Sequence, residues 1–328
     1  MKILVLGGAG YIGSHTVYRL IESGNEVVVF DNLETGHIEA VHPKAKFYKG
    51  DLRNRSEIDS VFDKEKGIDA VIHFAANSLV GESMTNPLKY YDNNLNGTKV
   101  LLQSMVAHEI DKIVFSSTAA TYGEPESIPI LETDRTLPTN CYGETKLSME
   151  KMFKWTSKAY NLRYVSLRYF NACGAHPNGK IGEAHNPETH LIPLVLQVPN
   201  GKREYISVFG NDYDTKDGTC VRDYIHVNDL AQAHILAMEY LSKGGESNIF
   251  NLGNGVGFTV KEVIETARKV TNHTIPIREE ERRTGDPSVL IASSEKARKV
   301  LGWKPQYADL ETIISTAWKW HVNHPDGY

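Results

Sequence analysis

Short apolar runs alternate with amphipathic stretches over the first half of the chain. The runs are nearly continuous in apolar residues, which is typical of parallel strands covered on both faces. The predicted strands are Lys2–Leu6, Glu26–Phe30, Lys46–Tyr48, Ala70–Phe74, Lys112–Ser116 and Arg163–Leu167. The predicted helices between them are Gly13–Glu22, Arg55–Lys64, Pro87–His108 and Tyr142–Tyr160. This alternation predicts an α/β fold with a doubly wound parallel sheet of the Rossmann type.

The pattern changes after Asn171. Residues 174–190 are rich in Gly, His, Pro and Asn and are predicted to form a loop. Further strands are predicted at Tyr205–Phe209 and Ile249–Leu252, and further helices at Asn228–Leu241, Val260–Val270, Ser294–Leu301 and Leu310–His321. We predict a nucleotide-binding domain over 1–171 and a smaller α/β substrate lobe over 172–328. The boundary is approximate, since the chain is expected to cross between the lobes and leave a cleft.

Composition narrows the class of protein. The 328 residues are 41% hydrophobic and 23% charged, with a formal net charge of −5, so no basic field invites nucleic acid. No apolar stretch approaches the roughly 20 residues of a spanning helix, and no charged-then-apolar leader opens the sequence. The three cysteines, Cys141, Cys173 and Cys220, form no C-x-x-C pair, and H-E-x-x-H is absent. We therefore expect a cytoplasmic protein without a disulfide framework, a membrane segment or a metal site.

A glycine-rich loop follows the first predicted strand directly. Gly7, Gly10 and Gly13 stand where such a loop needs a tight turn, close backbone approach to a pyrophosphate and close helix–strand packing. The next helix would present free N–H groups and its positive end to the phosphates. Asp31 closes the second strand, where a carboxylate accepts ribose hydroxyls and repels a 2′-phosphate. The sequence thus predicts a dinucleotide site that prefers NAD to NADP.

A tyrosine and a lysine lie four residues apart in a predicted helix. Tyr142 and Lys146 would share one face, and Thr118, at the end of another predicted strand, could complete a proton-transfer site. Lowering a tyrosine pKa from ~10 to 7 requires about 4 kcal/mol. A positive charge about 4 Å away supplies about that much at an effective dielectric near 20. The motif predicts an alcohol-oxidising site in which the phenol acts as base and then acid.

These motifs resemble the extended short-chain dehydrogenase/reductase family, in particular its UDP-hexose 4-epimerases. The resemblance covers essentially the whole chain. It rests on strings at Gly7–His15, Asp31–Leu33, Gly50–Leu52, His73–Ala76, Tyr90–Asn94, Ser116–Tyr122, Tyr142–Lys146, Arg168–Asn171, Gly174–Pro177, Phe209–Tyr213, Asp217–Thr219, Val221–Val227 and Arg282–Asp286. The string from Arg222 to Val227 is the most specific to nucleotide-sugar members.

The resemblance implies reversible inversion of C4 between UDP-glucose and UDP-galactose. It passes through a transient 4-keto sugar and NADH, with no net redox, so NAD is expected to stay tightly bound. Tyr142 would take the proton of the sugar 4-OH, Thr118 would hydrogen-bond O4, and Lys146 would hold the nicotinamide ribose. A homodimer is implied through Pro87–His108 and Tyr142–Tyr160.

The family's binding positions transfer onto two sets of residues. The implied NAD contacts are Gly7, Gly10, Tyr11, Ile12, Gly13, Asp31, Asn32, Asp51, Leu52, Phe74, Ala75, Ala76, Asn93, Ser116, Tyr142, Lys146 and Tyr169. The implied UDP-sugar contacts are Thr118, Tyr142, Asn171, His190, Leu191, Ser207, Phe209, Arg222, Tyr224, Arg283, Asp286 and Leu290. In an acidic chain a diphosphate needs dedicated cations, and the planar fork of arginine suits phosphate.

Four positions depart from the family pattern. Thr118 replaces the usual serine and keeps the hydroxyl, and Ser78 stands where many members carry a phosphate-binding lysine. His190 replaces an asparagine, and it either contacts the sugar or phosphate or is a loop histidine at the cleft rim. Leu290 occupies a position that controls sugar size. Since leucine is intermediate between an aromatic and a small residue, we expect some activity on UDP-GlcNAc and UDP-GalNAc.

Three other functions are possible on the same fold, and these residues bear on each of them. A 4,6-dehydratase needs an acid after the active-site threonine, but Ala119-Ala120 follow Thr118. A UDP-glucuronate 4-epimerase would need a further cation for the sugar carboxylate, and the sequence identifies none. A non-catalytic NAD-sensing scaffold is disfavoured because Thr118, Tyr142 and Lys146 are all present.

Overall fold

A seven-stranded parallel sheet forms the larger layer of the computed structural model, which describes residues 1–283 and 286–328. Thr284 and Gly285, part of the Arg282–Asp286 string, lie outside the described residues. In spatial order the strands are Asn248–Leu252, Arg163–Tyr169, Lys112–Ser116, Ala70–His73, Lys2–Leu6, Glu26–Asp31 and Lys46–Lys49. The predicted α/β fold with a Rossmann-type sheet is confirmed.

The apolar runs became strands because both faces of the sheet are covered. In the first strand Ile3 and Val5 pack into one hydrophobic cluster, whereas Leu4 and Leu6 pack into the cluster on the opposite face. Successive side chains of a strand point to opposite faces, so a strand between two cores needs an apolar residue at every position. All four residues are fully buried.

Two layers of helices cover the sheet. Tyr11–Glu22 and Val227–Ser242 pack together on one face, with Val17 and Leu230 in the shared core. The opposite face is covered by Arg55–Lys64, Gly97–Ala107 and Cys141–Tyr160.

The helix predicted over Pro87–His108 is not one regular helix. It runs as an α-helical turn at Pro87–Tyr90, a π-helical segment at Tyr91–Asn96 and an α-helix at Gly97–Ala107. A π-helical segment changes the direction of the following side chains and is frequent at functional sites. Here it contains Asn93, which reaches the wall of the main cavity.

The second half of the chain contributes to both layers. Strand Asn248–Leu252 pairs with Arg163–Tyr169 at the edge of the large sheet. The smaller lobe has its own core under Leu191–Leu196, Val260–Thr271 and Leu310–Asn323. The remaining strands are Asn171–Cys173, Ile206–Phe209, Val221–Arg222, Tyr224–His226, Phe258–Thr259, Ile277–Glu280 and Val289–Leu290, and the remaining α-helices are Val80–Thr85 and Glu295–Leu301.

A cleft opens at the carboxyl ends of the parallel strands. The strand Lys2–Leu6 lies between Glu26–Asp31 and Ala70–His73, so consecutive connections leave it in opposite directions. Ligands of open α/β sheets bind at such a switch point. Within residues 1–283 and 286–328, no helix has the length and apolar character needed to cross a membrane.

Candidate active site

A cavity of about 1010 Å³ occupies this cleft, and both lobes contribute to its wall. Pockets for one small ligand usually measure ~300–1,000 Å³, so the cavity has room for more than one ligand of ordinary size. Predicted site residues on its wall are Gly7, Gly10, Tyr11, Ile12, Gly13, Asp31, Asn32, Phe74, Ala75, Ala76, Asn93, Ser116, Thr118, Tyr142, Lys146, Tyr169, Asn171, His190, Arg283, Asp286 and Leu290.

Seven predicted contacts lie outside the cavity wall. They are Asp51, Leu52, Leu191, Ser207, Phe209, Arg222 and Tyr224. Asp51 forms an ion pair with Arg53 and accepts a 3.4 Å hydrogen bond from Asn32 Nδ2, and these groups bring its pKa to about 2. It thus orients Asn32, which does line the cavity.

The glycine loop has the shape of a phosphate cradle. Gly7 has a φ of 74°, and a Cβ there would lie 2.6 Å from the backbone nitrogen of Ala75. A Cβ on Gly13 would lie 2.1 Å from the carbonyl oxygen of Gly7. On Gly10 it would meet that oxygen at 3.4 Å and otherwise face the cavity. Two glycines are therefore required by the backbone, and the third leaves space for a ligand.

The helix Tyr11–Glu22 begins at this cradle without a side-chain cap. Its first backbone N–H groups are free to bind an anion, and the helix dipole favours negative charge there. Asp31 is buried nearby and accepts hydrogen bonds from the backbone nitrogens of Ala9, at 3.0 Å, and Leu33, at 2.8 Å. The residues present thus fit a dinucleotide whose adenosine ribose carries no 2′-phosphate.

The proton-transfer residues come together on the cavity wall. Lys146 is 3% exposed, and its Nζ lies 5.8 Å from the centre of the Tyr142 ring and donates a 2.9 Å hydrogen bond to the carbonyl of Ser116. The Thr118 side chain is within hydrogen-bonding reach of the Tyr142 phenol. Strand end and helix therefore place a hydroxyl, a phenol and an amine in one pocket.

Burial shifts both titratable groups toward their neutral forms. It raises the pKa of Tyr142 to about 12, although the hydrogen bond with Thr118 acts in the opposite direction. Burial also lowers the pKa of Lys146 to about 7, against the attraction of the Glu150 carboxylate. At pH 7 the phenol keeps its proton unless another positive charge enters the site.

Sequence reasoning missed the buried network that holds these groups. Glu150 accepts hydrogen bonds from Arg168 Nε, at 2.9 Å, and from Ser117 Oγ, at 2.5 Å. It thereby ties the helix Cys141–Tyr160 to two strands of the sheet. Asn94, also buried, donates to Thr145 Oγ1 at 3.0 Å and to the carbonyl of Asn77 at 3.1 Å. The resemblance strings contained Arg168 and Asn94, but nothing in their spacing indicated these partners.

Arg283 and Asp286 line the cavity, and Arg222 lies outside its wall but is linked to it through Asp286. The Arg283 guanidinium lies 3.9 Å from the centre of the Phe209 ring, and Arg222 forms an ion pair with Asp286. Asn171 Nδ2 donates a 3.0 Å hydrogen bond to the carbonyl of Asp223, which fixes the amide beside the catalytic pocket. Cations, an aromatic face and an amide are the groups that bind a nucleoside diphosphate.

His190 is held by two carboxylates. Its Nδ1 lies 2.7 Å from Glu183 and 3.2 Å from Glu188. Burial lowers the pKa of His190, but these carboxylates outweigh burial and bring it to about 10. The pKa of Glu183, which burial raises, is brought to about 2 by His185 and His190. Both carboxylates were missed because no sequence pattern links them to the site.

The chain matches proteins of known family over its full length. Residues 3–253 match the model of the NAD dependent epimerase/dehydratase family. A UDP-glucose 4-epimerase of Halalkalibacterium halodurans is 61% identical over 328 residues, covering 100% of this chain and 98% of the relative.

Solved structures agree with the sequence comparison. A crystal structure of a UDP-glucose 4-epimerase superposes with a TM-score of 0.98 at 57% identity, covering 100% of this chain and 99% of that chain. The UDP-glucose 4-epimerase of Bifidobacterium longum, in complex with NAD+ and UDP, superposes with a TM-score of 0.94 at 39% identity and full coverage of both chains. The chain belongs to the NAD dependent epimerase/dehydratase family.

Proposed function

We propose that this chain interconverts UDP-glucose and UDP-galactose by inverting the configuration at C4. The observation that carries the proposal is the pocket of Thr118, Tyr142 and Lys146, which opens on the same cavity as the glycine cradle. The similarity to UDP-glucose 4-epimerases over the whole chain supports it. NAD, when bound, would accept and return the hydrogen of C4.

The protein's own residues would bind NAD and control the proton. Gly7, Gly10 and Gly13 leave room for the pyrophosphate, and Asp31 favours an unphosphorylated ribose. Tyr142 would take the proton of the 4-OH and return it to the 4-keto oxygen after the sugar has turned over in the cavity. The hydrogen would then come back to the opposite face of C4, which inverts its configuration. Thr118 would orient that oxygen, and the positive charge of Lys146 would stabilise the phenolate.

The smaller lobe would bind the UDP group. Arg283, on the cavity wall, and Arg222, which is linked to that wall through Asp286, would neutralise the diphosphate, and Asn171 would donate to a phosphate oxygen. The pairing of Arg222 with Asp286 prevents an uncompensated guanidinium before substrate arrives. As part of this proposal, residues 1–171 would bind NAD and residues 172–328 would bind the UDP-sugar, as the sequence predicts. The strand Asn248–Leu252 is an exception, since it pairs with the large sheet.

The residues of this pocket disfavour the other reactions that are possible on the same fold. Ala119 and Ala120 line the cavity beside Thr118, where a dehydratase would need a proton donor. UDP-glucuronate epimerisation is the second candidate on this fold, but no residue was identified for its carboxylate.

We also propose that two copies of the chain associate in the cytoplasm. Leu88 is 77% exposed and Tyr91 is 41% exposed on the segment Pro87–Asn96, and Trp155 is 65% exposed on the neighbouring helix Cys141–Tyr160. Apolar side chains this exposed on adjacent helices favour a second protein surface as their partner. The three cysteines are free, which suits a reducing compartment.

The direct test offers UDP-galactose, UDP-GalNAc and UDP-glucuronate to the purified protein without added NAD. The proposal predicts conversion of UDP-galactose to UDP-glucose and conversion back, with no net accumulation of NADH. Turnover of UDP-glucuronate alone would favour the second candidate. Absence of C4 inversion for every sugar, even with NAD added, would reject epimerisation.

A further inference from the structure

Four metal-ligating side chains converge on the loop that precedes helix Leu191–Leu196. Glu183, His185, Glu188 and His190, here called the His–Glu cluster, each contribute one ligand atom, and all four atoms lie within 4.8 Å of one another. The sequence contains no familiar metal-binding spacing, which led us to expect no metal site. The irregular backbone of the loop brings these four side chains together, whereas on a regular helix residues with this spacing would not share one face.

Charge in this cluster is not balanced by the usual cations. The side chains of Glu183 and Glu188 are only 4% and 8% exposed. In the part of the chain that the structure describes, neither carboxylate forms a salt bridge with a lysine or an arginine. The backbone N–H groups of Thr189 and His190 donate to Glu188 Oε1 at 2.7 and 2.8 Å and stabilise that carboxylate in part. A positive charge on the two imidazoles, or a cation between the four groups, would compensate the pair of carboxylates further.

The distances between carboxylate oxygens and imidazole nitrogens lie on both sides of the spacing expected between neighbouring ligands of a metal ion. Glu183 Oε1 lies 2.7 Å from His190 Nδ1 and 3.1 Å from His185 Nδ1. Glu188 Oε1 lies 3.2 Å from His190 Nδ1, and the other oxygen, Oε2, lies 3.8 Å from His185 Nδ1. Bonds of about 2.0–2.1 Å to nitrogen and oxygen in tetrahedral geometry place neighbouring ligands about 3.3 Å apart. Small movements of the four side chains would therefore accommodate an ion.

We infer that the His–Glu cluster binds one divalent transition-metal ion, with Zn²⁺ as the best match. Two imidazoles suit zinc far better than magnesium or calcium, which prefer oxygen ligands. Because protein side chains fill all four positions, the ion would have a structural role and would not activate water. This site does not depend on the proposed epimerase reaction.

The position of the cluster explains what such an ion would do. His37 Nε2 lies 2.9 Å from the carbonyl oxygen of Ala184, and the edge of the Tyr11 ring packs against His185. Tyr11 follows the glycine cradle and donates a 2.6 Å hydrogen bond to the carbonyl of Gly174. An ion would thus fasten residues 183–190 against the dinucleotide-binding end of the cavity, with His190 on the cavity wall.

The test measures metal on an untagged protein purified without added chelator and then dialysed against Zn²⁺ buffered at nanomolar concentration. We expect one zinc per chain in the wild type and less than a tenth of that in the double variant His185→Asn/His190→Asn. The matched control is His273→Asn, since His273 is exposed and lies outside the cluster. The control should retain the full zinc content.

The visible absorption spectrum of Co²⁺ bound to the wild type tests the site even if the double variant does not fold. After removal of bound metal, added Co²⁺ should give the intense visible bands of tetrahedral coordination, and stoichiometric Zn²⁺ should abolish them. Weak octahedral bands, or a wild type that binds no zinc, would overturn the inference and leave a hydrogen-bonded cluster of protonated histidines. Equal zinc in the double variant and the wild type would also overturn it.

Discussion

Tyr142 and Lys146 show how burial changes a motif that looks simple in sequence. The sequence-based calculation placed the ammonium about 4 Å from the phenol, enough to bring the tyrosine pKa near 7. In the structure, burial raises the pKa of Tyr142 to about 12. Under the proposed mechanism the phenol would therefore need the positive charge of the oxidised cofactor as well as that of Lys146.

Removing the phenol hydroxyl should abolish proton transfer but leave the fold intact. We expect Tyr142→Phe to lower kcat for UDP-galactose by at least about 100-fold, as for the loss of a positioned general base. The matched control is Tyr160→Phe, the same substitution on an exposed residue of the same helix. Wild-type kcat in Tyr142→Phe, measured with equal bound NAD, would reject the mechanism.

Leu290 should influence the size of sugar that the cavity accepts. It lines the cavity and packs against Ala119, Tyr122 and Ile130. A bulkier side chain would occupy the space that an N-acetyl group needs, and a misfit of even one methylene group in a pocket is worth about 10–200-fold. We expect Leu290→Tyr to lose turnover of UDP-GlcNAc by about that factor and to keep turnover of UDP-galactose.

The control for this pocket is Leu290→Met, which nearly conserves volume and should leave both activities close to those of the wild type. Coupled assays that measure each UDP-sugar separately give the ratio. If the wild type does not convert UDP-GlcNAc at all, Leu290 does not open the pocket as we expect.

At the scale of elements, two glycines of the same loop have different roles: Gly13 is needed for the fold and Gly10 for the binding of NAD. The Cβ of Gly13→Ala would lie 2.1 Å from a backbone oxygen, which cannot move cheaply. The Cβ of Gly10→Ala meets only the Gly7 oxygen, at 3.4 Å, and points to the cavity. We expect Gly13→Ala to lose both stability and bound NAD, and Gly10→Ala to lose NAD while keeping the stability of the cofactor-free protein.

Two measurements check this contrast: NAD released per chain on denaturation, and the free energy of unfolding after the cofactor has been removed. Gly97→Ala is the control, since its Cβ meets Leu52 at an ordinary 3.4 Å within a helix. Equal loss of stability in Gly10→Ala and Gly13→Ala would contradict the contrast.

Long elements were predictable from sequence because their patterns repeat. The seven strands of the large sheet and the long helices match the predicted segments closely, since a continuous apolar run or a 3.6-residue period covers several turns. The π-helical segment Tyr91–Asn96 was not predicted, because one extra residue per turn leaves no signal in a short pattern. Two-residue strands such as Val221–Arg222 depend on tertiary pairing alone.

The site was predictable where its residues sit close together in sequence. The glycine loop and Tyr142–Lys146 could be placed because each lies on one element. The Glu150–Arg168 pair could not be placed, because these buried charged groups meet only through tertiary packing. The His–Glu cluster lies within one loop, but it could not be placed either, because an irregular loop has no period that shows which side chains meet. Burial also decided the pKa values, and burial cannot be computed from spacing.

At the scale of the whole molecule, the proposed dimer should depend on the exposed apolar face. We expect the molar mass of the wild type, measured by light scattering, to be twice the 36.7 kDa of one chain. A charge on this face would have to be desolvated in the interface, so Leu88→Asp should shift the protein toward the monomer. Val322→Asp is the control, since Val322 is an apolar residue on another helix and is 52% exposed. A wild-type monomer, or a dimer unaffected by Leu88→Asp, would contradict this interface.

Buried neutral histidines should make the whole fold sensitive to acid. Burial lowers the pKa of His15, His73 and His226 to about 3 and that of His234 to about 4. An unfolded chain binds these protons below its pKa of about 6.5, whereas the folded chain does not. The stability contributed by each neutral histidine is therefore present above pH 6.5 and is lost as pH falls toward 3–4. Between the folded-state and unfolded-state pKa values, each histidine adds up to about 1.4 kcal/mol per pH unit to the slope of the unfolding free energy against pH.

The loss should be traceable to single histidines by urea unfolding at pH 7, 6 and 5. His73 Nδ1 has no hydrogen-bond partner, and its Nε2 lies 3.2 Å from Thr98 Oγ1, so the ring has little to gain from a second proton. His73→Gln should flatten the dependence of the unfolding free energy on pH by about 1.4 kcal/mol per unit at the acid end. His273→Asn, on the surface, should leave that slope unchanged. If His73→Gln keeps the wild-type slope, the burial of a neutral His73 does not contribute to acid unfolding, because its titration would then not separate the folded from the unfolded state.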